Sequence, residues 1–206
     1  EEEIIYGTKE YIDNLLNTNK YETLKDIIHL GRAYGTYVSK IRTKDKRKRL
    51  KSLYNNTDLY KLYTITPYLQ DLNNLIGMES LKKDIVYQIL YYLQNYNDYN
   101  DLMHTVIMGS PGCGKTELSK ILGNIYINLS FLSKRHLTFA KRSDLIGEYL
   151  GQTAVKTQNL LNSAKGGCLI IDEAYSLGNS EKRDSYSKEC IDVINQFLTE
   201  NKDDFI

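Results

Sequence analysis

The stretch "MHTVIMGSPGCGKTELSKIL", residues 103–122, decides the fold. Residues 103–108 are a short apolar, β-branched run, the pattern of a buried strand. Residues 109–114 form a glycine-rich turn, and 115–130 return to helical periodicity. Within this stretch Gly109, Ser110, Pro111, Gly112, Cys113, Gly114, Lys115 and Thr116 fit the pattern G-x-x-x-x-G-K-[ST]. The glycines let successive backbone N–H groups turn inward around phosphates, and the following helix adds the positive end of its dipole. Lys115 supplies a point charge for the outer phosphates, and Thr116 a hydroxyl for Mg²⁺.

A second string, "GGCLIIDEAYSL" at residues 166–177, supplies the other half of such a site. Four apolar residues carry Asp172 to the carboxyl end of a strand, where open α/β sheets bind ligands. Asp172 is therefore the expected second Mg²⁺ ligand, and Glu173 the general base that polarises an attacking water. A switch that only binds nucleotide needs the metal but not Glu173, so the pair favours hydrolysis.

Around these strings the punctuation is regular. Residues 136–140 and 168–171 read as strands; 152–165 and 185–201 read as helices, the last with Ile191, Ile194, Phe197 and Leu198 on one face. Strands alternating with helices predict a parallel sheet covered on both faces, with right-handed crossovers. Upstream, residues 78–96 carry a helical stripe (Leu81, Ile85, Ile89, Tyr92, Leu93) after a turn at 74–77. Further upstream, "YETLKDIIHLGRAYG" is helical, with Gly31 and Gly35 as its expected stops. Residues 1–66 thus form a mainly helical N-terminal segment with a basic linker, and 67–206 the nucleotide-binding αβ part.

The bulk numbers exclude several classes. A chain of 206 residues with 41% hydrophobic and 26% charged residues has the composition of an ordinary globular protein. A net charge of +1 gives no global attraction to nucleic acid or membrane. No apolar run approaches membrane-span length. Cys113, Cys168 and Cys190 are an odd number without metal-ligand spacing, which predicts free thiols in a reducing, intracellular compartment. His29, His104 and His136 match no ligand spacing and read as structural or surface residues. The run "RTKDKRKRLK", residues 42–51, reads as a solvated loop or exposed helix face; a nucleic-acid contact is its sharper alternative. With Glu1 in place of Met at its start and "NKDDFI" at its end, the sequence reads as a fragment.

Together, "GSPGCGKT" and "LIIDEAYSL" resemble the AAA+ ATPases. "SDLIGEYLGQTAVKTQNLLNSAKGGCLIIDEAYSL", its continuation to residue 206 and "LNNLIGMESLKKDIVYQIL" narrow the resemblance to the branch of the red-type (CbbX-type) Rubisco activases. It covers roughly residues 70–206. The Asn-, Tyr- and Lys-rich composition and "LKDIIHLGRAYG" resemble versions encoded by giant DNA viruses. The resemblance implies a P-loop α/β fold, a three-layer αβα core with ATP and Mg²⁺ as cofactors. It implies that Ile76 and Gly77 lie against the adenine. Residues 148–151 match the central-pore loop, with Tyr149 at the aromatic position that grips a threaded polypeptide, followed by Leu150 and Gly151. It implies a homo-oligomeric ring, usually a hexamer, acting on a protein substrate, with an arginine from the neighbouring subunit completing each site. That arginine, the γ-phosphate sensor and the helical lid are expected beyond Ile206; Arg135 and Arg183 are upstream candidates for interface contacts. Cys113 departs from the commoner Thr or Val at a position that contributes mainly backbone.

The leading expectation is an ATP-driven remodelling motor. An ATP-gated scaffold or nucleic-acid-associated switch is the alternative from another class. The target is not legible, because the engine recurs with many partners.

Overall fold

The computed structural model describes residues 6–18, 20–41, 58–94, 104–129, 132–149, 151–178, 185–202 and 204–206. The basic run at 42–51 and Arg183 lie outside the described residues, as does Leu150. The chain divides into two compact units, Glu1–Asp98 and Tyr99–Ile206.

The first unit is helical: α1 (Lys9–Thr18), α2 (Leu24–Ser39), α3 (Leu59–Asn74) and α4 (Glu79–Leu93). Helix α2 starts at a capping box, in which the Thr23 hydroxyl accepts the Asp26 N–H and the Asp26 carboxylate accepts the Thr23 N–H at 2.8 Å. Its buried residues Ile27, Leu30 and Tyr34 and those of α3, Leu62, Ile65 and Leu69, form the core. Lys82 caps the end of α3, its Nζ donating to the Leu75 carbonyl at 2.7 Å. The boundary expected between residues 66 and 67 falls inside α3, which runs through Pro67.

Gly31 and Gly35 are not the stops they were expected to be, since α2 passes through both. Their reason is close approach. A Cβ at Gly31 would lie 2.1 Å from Thr66 Oγ1, and one at Gly35 2.5 Å from Tyr63 Cε2. In an exposed helix, Gly→Ala gains about 1 kcal/mol of propensity. At Gly31 the added methyl must displace a buried neighbour, which costs about 1–3 kcal/mol. Gly31→Ala is therefore expected to lower the urea midpoint; an unchanged or raised midpoint would show that α2 and α3 do not meet this tightly.

The second unit alternates helix and strand: α5 (Lys115–Leu129), β1 (Leu137–Ala140), α6 (Arg142–Leu145), α7 (Thr153–Ala164), β2 (Cys168–Ile171), a 3₁₀ turn (Ala174–Leu177) and α8 (Ser185–Glu200). The strands β1 and β2 are parallel, in register from Leu137 opposite Cys168 to Ala140 opposite Ile171. Side chains alternate across a strand, so Cys168 and Ile170 share one face of β2. That face meets α5 at Gly123, where a Cβ would lie 2.7 Å from Leu137 Cδ1 and 3.3 Å from Ile170 Cδ1. Leu169 and Ile171, on the other face, pack into two clusters, one of Leu161, Ala164, Phe197 and Phe205, the other of Leu145, Leu177 and Cys190. The sheet is thus covered on both faces, as the alternating pattern predicts. No helix among the described residues is long and apolar enough to cross a membrane.

One expected element is absent. Residues 104–108 form no strand; Val106 is 83% and Met108 87% exposed. An extended apolar run becomes a strand only when its backbone finds a ladder. β1 takes one edge of β2, and on the other Ile206 donates to the Gly167 carbonyl at 3.2 Å and accepts from the Leu169 N–H at 2.8 Å. Neither edge of β2 is open to residues 104–108.

Candidate phosphate and metal site

Lys115 opens α5 directly after the loop, so the helix N-terminus points at the glycine turn. Gly112 and Gly114 adopt φ of 76° and 84°, a region that favours glycine and that bends the loop around its own N–H groups. The Lys115 ammonium folds over this loop, donating to the Gly109 carbonyl at 2.9 Å and the Ser110 carbonyl at 2.7 Å. Cys113 is exposed, its sulfur 3.9 Å from Lys115 Nζ. A charge bonded to neutral carbonyls at the N-terminus of a helix suits an anionic ligand.

The two strings meet in space. The Thr116 hydroxyl donates to Asp172 Oδ2 at 3.1 Å, although the residues are far apart in sequence. Strand β2 aims Asp172 there, with its N–H bonded to the Ala140 carbonyl at 2.9 Å as the ladder ends. A hydroxyl and a carboxylate side by side are hard oxygen donors, and Mg²⁺ takes one or two such groups together with phosphate and water oxygens. Among the described residues no group of three or more His, Cys, Asp or Glu is placed to hold a metal ion.

Glu173 follows in a left-handed conformation, φ 54° and ψ 38°, with its side chain exposed. A non-glycine residue held there costs about 1–3 kcal/mol, and such strain clusters at functional sites. Two hydrogen bonds hold it: the Glu173 N–H donates to Asp172 Oδ1 at 2.9 Å, and its carbonyl accepts the Ser176 N–H at 2.8 Å.

The remaining candidates stand elsewhere. Ile76, 97% exposed, and Gly77, φ 75°, lie in the first unit, between α3 and α4. Tyr149 is 68% exposed on the segment linking α6 to α7, and Gly151 has φ 80°. Arg135 is an exposed residue just before β1. The cysteines are unpaired, and burial pushes the Cys168 thiol up to about 11. Burial also raises Cys190, against a Thr157 hydrogen bond that lowers it.

Sequence reading missed the residues that fix the base of the Tyr149 segment. Thr153 Oγ1 accepts the Gly147 N–H at 3.1 Å, and buried Thr157 donates to the Leu145 carbonyl at 3.0 Å. Lys156 Nζ donates to the carbonyls of Ser143 at 2.7 Å and Ile146 at 3.0 Å, capping the end of α6. The signal was present in their spacing: 153, 156 and 157 fall on one face of α7. Arg142, whose guanidinium Nη1 donates to the Ser176 carbonyl, left no such trace.

Comparison with known proteins supplies a family for this part of the chain. Residues 105–205 match the model of the "ATPase family associated with various cellular activities (AAA)". The cfxQ-like protein R730 of Acanthamoeba polyphaga mimivirus is 38% identical over 159 residues, 77% of this chain and 39% of that protein. Stage V sporulation protein K of Bacillus subtilis (strain 168) is 35% identical over 144 residues, 66% of this chain and 44% of that protein. The chloroplastic ribulose bisphosphate carboxylase/oxygenase activase of Cyanidioschyzon merolae (strain NIES-3377 / 10D) is 29% identical over 168 residues, 81% of this chain and 54% of that protein. The chain therefore spans between about two-fifths and just over half the length of these relatives. Residues 105–205 belong to the AAA family of ATPases, in company with relatives of the CfxQ type.

Proposed function

We propose that the protein binds Mg·ATP on residues 109–116 and hydrolyses it, and that a ring of its subunits uses the turnover to remodel a protein substrate. The observation that carries this is the hydrogen bond from Thr116 to Asp172, which joins the two sequence strings into one pair of oxygen donors. The loop N–H groups and Lys115 hold the β- and γ-phosphates, and Thr116 and Asp172 hold the metal. Mg²⁺, when bound, neutralises charge on the phosphate oxygens. Glu173 sits one residue beyond Asp172, and its carboxylate accepts a proton from the attacking water.

A ring of subunits, six as its expected form, belongs to this reading because ring assembly is general in the family, and an intracellular setting belongs to it because the three cysteines are free thiols. The relatives' names attach this engine to different systems, a carboxylase activase and a sporulation protein among them. The target of this chain is therefore left as a protein of unspecified identity.

Tyr149 is the residue that would grip that target. It is a large aromatic group in open solvent, on a segment whose base is tied to α7. An exposed ring on an anchored loop suits contact with a passing chain better than packing. Tyr149→Ala in the full-length protein is expected to leave basal ATP turnover within about twofold, since the residue lies outside the phosphate site. The same change should abolish unfolding of an unstructured-tailed fluorescent reporter. Reporter unfolding at the parental rate would remove the threading role while leaving the ATPase reading in place.

A further inference from the structure

The string "LKDIIHLGRAYG", residues 24–35, takes no part in the nucleotide site. It forms most of α2, and its apolar positions are buried in the core of the first unit. Its polar positions carry a second pattern. Lys25, His29 and Arg32 fall at i, i+4 and i+7, one stripe of the helix about 10 Å long at about 1.5 Å per residue. They line a groove of about 220 Å³ together with Ile28 and, from α3, Gln70 and Asn73.

No carboxylate neutralises this groove. Lys25 makes no hydrogen bond or ion pair among the described residues. Arg32 Nη2 donates to Gln70 Oε1, a neutral partner that fixes the guanidinium across the groove and leaves its other N–H groups to donate. His29 Nε2 is hydrogen-bonded to the Tyr11 hydroxyl at 2.9 Å, and its ring lies 5.8 Å from that of Tyr6. The one carboxylate of α2, Asp26, is engaged in the capping box, its Oδ2 accepting the N–H groups of Glu22 and Thr23 and the Thr23 hydroxyl. Asp71, the carboxylate of α3, does not line the groove. The acceptors on the α3 side are taken as well, Gln70 Oε1 by Arg32 and the Asn73 carbonyl by Lys82 Nζ at 3.4 Å. What the groove offers is donors and positive charge.

We propose that this groove binds a phosphorylated serine or threonine of a protein partner. An ammonium, a guanidinium fork, an imidazole and two side-chain amides are more donors than a carboxylate can use. A phosphate monoester brings three terminal oxygens and about two negative charges, which match them. The described part of this unit holds as many acidic as basic residues, so the positive charge is local and lacks the extent that a nucleic acid backbone requires. Lys25, His29 and Arg32 are exposed, and water and salt screen them too strongly for a small free anion to be held well. A peptide adds the contact that a free anion lacks, with Ile28 as an apolar floor beneath it and the rings of Tyr6 and Tyr11 beside His29. Capture of a phosphorylated side chain by an arginine-centred cluster is a recurring mode of peptide recognition.

The test is retention of a degenerate peptide library, with phosphoserine fixed at its centre, on the immobilised 206-residue chain. The same library with serine or with aspartate at that position is run beside it, each with and without saturating Mg·ADP. Retention of the phosphoserine library is expected to exceed that of the serine library by at least about tenfold, with or without Mg·ADP. Lys25→Ala is expected to lower it by at least about threefold, and Lys25→Ala combined with Arg32→Gln to bring it to the level of the serine library. Lys25→Ala gives up no side-chain bond among the described residues, so it is read alone if Arg32→Gln, which loses the bond to Gln70, disturbs the packing of α2 on α3. Equal retention of the phosphoserine and serine libraries overturns the proposal, as does phosphate-dependent retention that the substitutions leave at the parental level. Equal retention of the aspartate library overturns the choice of phosphate. Phenyl phosphate that competes as tightly as the retained peptides bind overturns the choice of a protein partner. Retention abolished by Mg·ADP places the phosphate on residues 109–116 and overturns the site.

Discussion

Replacing Glu173 by Gln in the full-length protein is expected to lower the turnover of ATP by about 10²–10⁴-fold, the usual contribution of a positioned general base. At about 1.4 kcal/mol per decade this is about 3–5 kcal/mol of transition-state stabilisation. The affinity for Mg·ATP should stay within about threefold, because the substitution removes no proposed ligand of metal or phosphate. The reason lies in how Glu173 is held. Its N–H, not its carboxylate, bonds Asp172 Oδ1, and its carbonyl, not its carboxylate, accepts from Ser176. Glutamine preserves both backbone bonds and the shape of the exposed side chain, and loses only the capacity to take a proton. Turnover assays with a matched binding titration separate the two quantities. Full activity would remove the base assignment; loss of binding would show that the side chain supports the site rather than the chemistry.

Replacing Lys115 by Ala should act on the other quantity. A charge-assisted hydrogen bond contributes about 1.5–3 kcal/mol, so nucleotide affinity is expected to fall by about 10- to 100-fold. Lys115 is only half-buried, which argues for the lower part of that range. The folded chain should barely change in stability, since Lys115 donates to carbonyls on an exposed loop that water can replace. Lys115→Arg should not restore affinity, because a planar fork does not replace a compact ammonium at a point contact. Isothermal titration with ADP and ATPγS checks this. Unchanged affinity in Lys115→Ala would move the phosphate site away from residues 109–116.

Much of the second unit was legible because its signals are local and periodic. β2 and the helices α5, α7 and α8 formed within a few residues of where the apolar spacing put them. Thr116 and Asp172 could be paired on paper because a strand must deliver its last residue to the sheet's carboxyl edge. What escaped depends on partners that the sequence does not point to. Gly31 and Gly35 look like helix stops until Thr66 and Tyr63 are seen against them. Pro67 looks like punctuation, yet α3 runs through it, with Thr66 and Leu69 buried on either side. Residues 104–108 have the composition of a strand, and composition cannot provide a ladder. Arg142 is invisible for the same reason: its contact with Ser176 follows no period, and only the return of the chain after β2 creates it.

The central claim is that the Thr116–Asp172 pair and Glu173 form a metal-dependent hydrolytic site. Its most direct test is a single-turnover measurement of phosphate release from γ-labelled ATP by the full-length protein, with Mg²⁺ and again after chelation by EDTA. Phosphate release is expected with Mg²⁺, with its loss on chelation and with label retained as bound ATP in Glu173→Gln. Release that survives chelation, or parental release from Glu173→Gln, would contradict it.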